Sequence, residues 1–278
     1  FGFAREIGLA PRWALVEVLM TAAVPTAYHV ASSAYIDLAL SLFVTLAIYS
    51  LTRWWKTLEP GWMVAVAIFL GAALATKLTA LFVIAAFSIV VLLRVRKAQE
   101  SANERIGKIA GVGLVSLFFA GLIAAPSYIR TWVETGSPIF PFYMNIWAGQ
   151  APGWDVERSN LFQAMNAQYG GYTKTALDYL ASPWNLSVTA QPEIATHFDG
   201  VLGVAFLIGL PVLIWALWKF KMPVEIRISV GVAAIMFLFW LFSSQQLRYL
   251  LPILPVLAIG IAASFEEVGE SVRGMRVI

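Results

Sequence analysis

The chain contains no cysteine, so it can form neither a disulfide nor a thiolate metal site, and nothing in it marks a redox compartment. Charge is scarce as well: 13% of the residues are charged, against about a quarter in soluble domains. There is no internal repeat, low-complexity tract or polar linker to divide the sequence. What remains is apolar, 60% of 278 residues with a mean hydropathy of +0.76, more than a single soluble core can hide. The composition therefore predicts one membrane domain spanning residues 1–278, an all-α polytopic bundle rather than a globule.

Apolar runs long enough for helices fall at about 12–25, 34–51, 62–76, 79–93, 108–126, 199–218, 227–243 and 249–265, about eight membrane segments. From Trp62 to Leu93 the run is about 32 residues, roughly 48 Å as one helix, which is too long for one untilted span. Splitting it at Lys77 gives a short, re-entrant-like hairpin whose tip carries that lysine. Charge distinguishes the two readings. With the hairpin, Arg5, Arg12, Arg53, Lys56, the 94–97 cluster, Arg105, Lys108, Lys219, Lys221, Arg227, Arg273 and Arg276 share one face, which the positive-inside rule makes cytoplasmic. With a single helix the bias largely disappears. The net charge of +3 and pI near 9.2 thus report topology and call for no nucleic acid.

Of the 19 basic residues only Lys77, Arg130, Arg158, Lys174 and Arg248 are left for the outer face. That face also carries the one long loop, 127–198, rich in Trp and Tyr that favour the headgroup layer; within it Thr173–Leu180 reads as a short interfacial helix. Asp37, Lys77 and Arg248 stand within or beside apolar runs, where a charge costs about 2.5–3.5 kcal/mol at a central position. Each has a plain explanation: a carboxylate on a helix dipole for Asp37, headgroup snorkelling for the two cations. Their agreement argues for more, since one acid and two bases far apart in sequence fall on the same face. Two cations there suit a lipid phosphate. His29 reads as a turn residue, and Asp155 and Glu157 as solvated loop carboxylates.

Four stretches carry a resemblance. They are Pro25 with Tyr35-Ile36-Asp37, the run Gly71-Ala72-Ala73-Leu74-Ala75-Thr76-Lys77, the pair Pro126-Ser127-Tyr128 and Gly136-Ser137-Pro138 through Pro141-Phe142, and Arg248-Tyr249-Leu250-Leu251-Pro252. In this order they resemble the C-type superfamily of membrane glycosyltransferases, in particular the group of protein O-mannosyltransferases and the lipid A aminoarabinose transferase. Ser127 and Ser137 depart from that pattern, in which Trp and Asn are usual.

The resemblance implies transfer of a sugar from a polyprenyl-phosphate carrier to a lipid, glycan or protein acceptor, at the outer face of a bacterial or archaeal plasma membrane. Lys77 and Arg248, with Tyr249 beside them and Arg130 as a third cation, are then expected at the lipid phosphate. Asp37 is expected as a supporting acid or as ligand to a divalent cation, the one cofactor in view. The main catalytic base is expected in a loop preceding Phe1, so that the chain reads as an N-terminally truncated fragment, inactive alone. A lipid-linked polysaccharide ligase or polymerase accounts for the same cations, and a transporter, flippase or structural subunit remains as a further alternative.

Overall fold

The computed structural model describes residues 1–100, 106–147 and 151–275, and among these the fold is all-helical with no strand. The helices are α1 (Gly2–Glu6), α2 (Pro11–Ala22), α3 (Pro25–Ala31), α4 (Asp37–Thr57), α5 (Pro60–Thr76), α6 (Leu81–Glu100) and α7 (Ile106–Thr135). After them come four short ones, α8 (Met144–Trp147), α9 (Val156–Ala167), α10 (Ala176–Leu180) and α11 (Ser182–Trp184), and then α12 (Val204–Lys219), α13 (Val224–Leu241) and α14 (Leu254–Met275). Pro11, Pro25 and Pro60 open α2, α3 and α5, where a missing N–H leaves no helical bond unmade.

Among the described residues five helical stretches are long and apolar enough to cross a membrane, or six if α2 and α3, bent by 71°, are one broken span. The shorter apolar helices α5 and α12 complete the eight apolar segments read from the sequence. Most boundaries shift by some residues from the sequence expectation, α6 running on to Glu100, α12 starting at Val204 and α14 spanning Leu254–Met275, and two shifts bear on the site. Helix α4 starts at Asp37 rather than at residue 34, which puts the carboxylate in the first helical position. Helix α7 runs through Pro126 to Thr135, 30 residues or roughly 45 Å, because packing of its second half against α5 holds it beyond the proline.

The chain reverses at Lys77, whose extended backbone (φ −158°, ψ 138°) separates α5 from a 3₁₀ turn, Leu78–Ala80. The directions follow from contacts. Tyr128 donates from its hydroxyl to the Leu74 carbonyl at 3.1 Å and Gly71 lies against Ile123, so α5 runs parallel to α7. Val91 lies against Gly113 and only five residues part Glu100 from Ile106, too few to lead back along α6, so α6 runs opposite to α7 and therefore opposite to α5. A bare glycine lets the first contact form: a Cβ on Gly71 would stand 2.7 Å from Ile123 Cβ and 2.9 Å from the Ala120 carbonyl oxygen.

This arrangement sorts charge to the two ends of the bundle. At one end Arg53 pairs with Glu6 at 2.8 Å, Lys56 pairs with the buried Glu225, and Arg94 donates to the Trp55 carbonyl at 3.3 Å. Ala4, Leu9, Ala14, Ala216, Met222 and Ile226 pack in one cluster there, which brings Arg5, Arg12, Lys219, Lys221 and Arg227 to the same end. Arg105 and Arg276, expected with them, lie outside the described residues, as does the side chain of Arg273. The opposite end receives Asp37, Lys77, Arg248 and the segment between α7 and α12. That segment is tied to the bundle by the reciprocal Thr26–Val201 bonds at 3.0 and 2.7 Å and by Leu247 N–H donating to the Phe198 carbonyl at 2.8 Å. The core between the two ends is aliphatic and aromatic, with Val44, Ile48, Leu51, Trp54, Leu70, Phe87 and Val256 fully enclosed.

Candidate functional site

At that opposite end Asp37 begins α4, where the free N–H groups of the first turn favour an anion. It is almost wholly buried, 1% exposed, and its Oδ1 accepts from Lys77 Nζ at 2.5 Å. The lysine does not snorkel away: its ammonium also lies over the Tyr249 ring, 4.2 Å from the centroid. Arg248 comes from a 3₁₀ turn, Leu247–Ile253, that precedes α14, and its guanidinium lies 4.6 Å from the Tyr35 ring centroid and 5.6 Å from that of Tyr249. Two cations thus meet between two tyrosines with one carboxylate between them. Arg248 has no carboxylate ion pair among the described residues, and its Nε and the Asp37 Oδ2 are buried without a hydrogen-bond partner.

The turn that carries Arg248 is fixed from behind. Trp240 Nε1 donates to the Gln246 carbonyl at 2.9 Å, and Gln246 Nε2 donates to Asp199 Oδ2 at 2.7 Å. Asp199 also accepts from the Glu193 N–H at 3.0 Å. Close to this network burial pushes the Tyr169 phenol up, with Asp199 adding to the shift and Arg248 opposing it. A separate cleft of about 160 Å³ opens on the other side of Lys77, lined by Thr76, Ser127, Tyr128, Thr131, Pro138 and Phe140 among others.

Of the residues expected at the site, Asp37, Lys77, Arg248 and Tyr249 come together. Arg130 does not join them: it is largely exposed and its Nε pairs with Glu134 at 2.9 Å within the last turns of α7. Asp155 caps α9 by accepting from the Arg158 N–H at 2.8 Å, and Glu157 lies in the exposed first turn of that helix. The His29 carbonyl accepts from the hydroxyls of Ser32 and Ser33 at 3.0 and 2.8 Å, which fits a turn residue. The sequence reading missed Asp199 and Tyr169. An acid at the boundary of the apolar run 199–218 was the available signal for the first, and nothing local singled out the second.

For a divalent cation at Asp37 the fit is poor, since the Lys77 ammonium already takes the place beside Oδ1. Among the described residues no three His, Asp or Glu side chains converge to hold a metal.

A family model described as a domain of unknown function, DUF8201, matches residues 8–255. The chain belongs to the DUF8201 family. The matched stretch takes in every member of the cluster, from Tyr35 to Tyr249. No curated protein and no solved structure matches the chain.

Proposed function

We propose that this DUF8201 chain is the membrane part of a glycosyltransferase that moves a sugar from a polyprenyl-phosphate carrier to a lipid, glycan or protein acceptor. The observation that carries the reading is an unpaired cation at this end of the bundle: Lys77 takes the Asp37 carboxylate, Asp199 is bonded to Gln246 and the Glu193 amide, and Arg248 beside them has no ion pair among the described residues and a buried Nε without a partner. A partly buried cation without an acid partner binds an anion, and one set among apolar helices suits a lipid phosphate.

The chemistry follows from those groups. As the anomeric carbon parts from the carrier, negative charge grows on the departing phosphate, and cations already in place stabilise it more than they stabilise the ground state. Arg248 offers a fork of donors with Nε free, held by the tyrosine rings at an angle that its network fixes. Lys77 adds a point charge, and Asp37 orients it while keeping Oδ2 unbonded. In this reading all eight apolar segments act as membrane segments, with α5 as the short arm of a hairpin whose second arm, expected to be equally short, is long enough to span through Leu78–Ala98. The basic end is cytoplasmic and the segment 127–198 lies outside, at a bacterial or archaeal plasma membrane.

The test is transfer from a polyprenyl-phosphate sugar in proteoliposomes, using the protein that carries this chain at matched expression. Lys77→Ala, Arg248→Ala and Asp37→Asn are each expected to lose about 10²-fold or more in turnover, and Arg53→Ala at the basic end to lose little. Near-normal transfer in the three folded variants reduces the cluster to a structural clip and sinks the reading. A lipid-linked polysaccharide ligase uses the same cations, and the chain length of the product separates the two.

A further inference from the structure

The cleft on the far side of Lys77 is not needed to hold a phosphate, and its walls have the wrong character for one. Four hydroxyls among the described residues line it; that of Ser127 keeps its proton for a ligand, and the other three already donate theirs to backbone carbonyls: Thr76 to Ala72 at 2.7 Å, Tyr128 to Leu74 at 3.1 Å and Thr131 to Ser127 at 2.9 Å. A hydroxyl has one proton and two lone pairs, so what these three side chains turn to a ligand is acceptor oxygen. Lys77 is the only charged residue in the lining, and its ammonium is held at Asp37. Apolar surface completes the cleft through Pro138 and through Phe140, whose ring is braced edge-on by Trp154 at a centroid distance of 5.3 Å.

A ligand matched to these walls is neutral, carries several hydroxyl donors and has an apolar face for an aromatic ring. An anion would meet acceptor lone pairs at three of the four hydroxyls. At about 160 Å³ the cleft has room for roughly 11 to 16 waters at 10–15 Å³ of the same measure each, the scale of a single sugar ring. We propose that the cleft between α5, the end of α7 and residues 138–140 is a saccharide subsite. It takes one sugar ring, with hydroxyls donating to Thr76, Tyr128 and Thr131 and an apolar face on Phe140. The cations at Asp37 and the cleft then divide the work across Lys77, charge on one side and ring on the other. The subsite rests on the glycosyl-transfer reading for the reaction that the bound ring enters, whereas ring binding itself is measurable without turnover.

The experiment is saturation-transfer NMR on the protein in phosphatidylcholine nanodiscs, with methyl glycosides of glucose, mannose, galactose and arabinose as probes. Tetrahydropyran-2-methanol, which lacks the ring hydroxyls, is the control. At least one glycoside is expected to bind and the control to give no signal. Thr131→Val and Phe140→Ala are expected to weaken that binding by about 5-fold each at an unchanged thermal midpoint, in line with one hydrogen bond or one ring contact removed. Tyr128→Phe and Thr76→Val replace either one that does not fold. Doping the nanodiscs with glucosyl-diacylglycerol distinguishes the sources: competition with the free glycoside assigns the ring to a lipid headgroup, and absence of competition assigns it to a soluble glycan. No binding by any probe, or binding unaffected in the cleft variants, overturns the subsite. Arg248→Ala separates the two proposals. It is expected to keep glycoside binding within about 2-fold while transfer fails, and loss of both in a folded protein would place the ring at the cations and overturn the division. Retained transfer with intact glycoside binding sinks the phosphate reading alone.

Discussion

The two ends of the bundle handle most of their cations differently, Lys56 on the buried Glu225 being the inward pair of the basic end. At the basic end Arg12, Arg53 and Arg94 lie over Trp13, Trp62 and Trp55 at 5.9, 5.5 and 5.5 Å, with their stems along the helix ends and their charges towards the edge of the bundle. Cations in such positions anchor a helix in the headgroup layer and tolerate one another because water and lipid screen them. At the other end Lys77 and Arg248 are drawn inward over tyrosines, towards a carboxylate that is 1% exposed. Many cations at an edge define an orientation. A buried ion pair with a second, unpaired cation beside it defines a site.

The sharpest way to break this comparison is to remove one acid at each end. Asp37→Leu leaves Lys77 in an apolar surrounding without its partner, and loss of one member of a buried pair costs about 3–5 kcal/mol. Glu6→Ala removes the partner of Arg53, but Glu6 is 45% exposed, and a screened pair of that kind is worth about 0–1 kcal/mol. Thermal unfolding of both variants in the same detergent should show a large drop for the first and little change for the second. Adding Lys77→Met to Asp37→Leu should recover most of the loss, since the stranded charge goes with it. Equal drops at the two ends would remove the distinction between anchor and site.

A smaller effect tests the packing that brings Lys77 to its place. Gly71→Ala drives a methyl into Ile123 and the Ala120 carbonyl, backbone that cannot yield easily, and overpacking of this kind costs about 1–3 kcal/mol. Gly121, one helix away on α7, has open space where its Cβ would go. There alanine is expected to be neutral or stabilising by up to about 1 kcal/mol, through helix propensity. Unfolding midpoints of the two variants provide the check. If Gly121→Ala is the worse of the two, the parallel contact of α5 with α7 is not the one that sets the reversal at Lys77.

Much of this was legible in the sequence, for physical reasons. Apolar runs carry the helices, and a lysine inside a run too long for one span marks the reversal because a charge is costly anywhere else in it. The approach of Asp37, Lys77 and Arg248 to one end followed from the positive-inside bias, and Tyr249 followed from its neighbour. What was not legible depends on tertiary packing. Pro126 reads as a helix end, yet contacts with α5 carry α7 past it, and at about 100° per residue Arg130 then falls off the face on which Ser127, Tyr128 and Thr131 line the cleft. Asp199 enters the site through a turn in which Glu193, Phe198 and Asp199 all have positive φ without being glycine. No local propensity announces such a turn, because the bonds from Gln246 and to the Glu193 amide hold it.

The mildest prediction concerns the surface of the site-bearing end, where Thr175 and Asp178 form a capping box at the start of α10. The Thr175 amide and hydroxyl both donate to Asp178 Oδ2, at 2.8 and 2.7 Å, and these bonds hold the carboxyl below its ordinary value of 3.8. A carboxylate whose folded value is depressed contributes stability that is complete above the unfolded value and is lost as pH falls through the folded one. Protection of the amides of residues 176–180 against hydrogen exchange, corrected for intrinsic rates, should therefore hold steady from neutral pH and fall only below the ordinary carboxylate value. Asp178→Asn should flatten that dependence and leave the rest of the bundle untouched, because Asp178 is fully exposed and the helix it starts is five residues long. A loss of protection that spreads into α4 and α14 on the same acidification would instead mean that the surface segment and the buried cluster open as one unit.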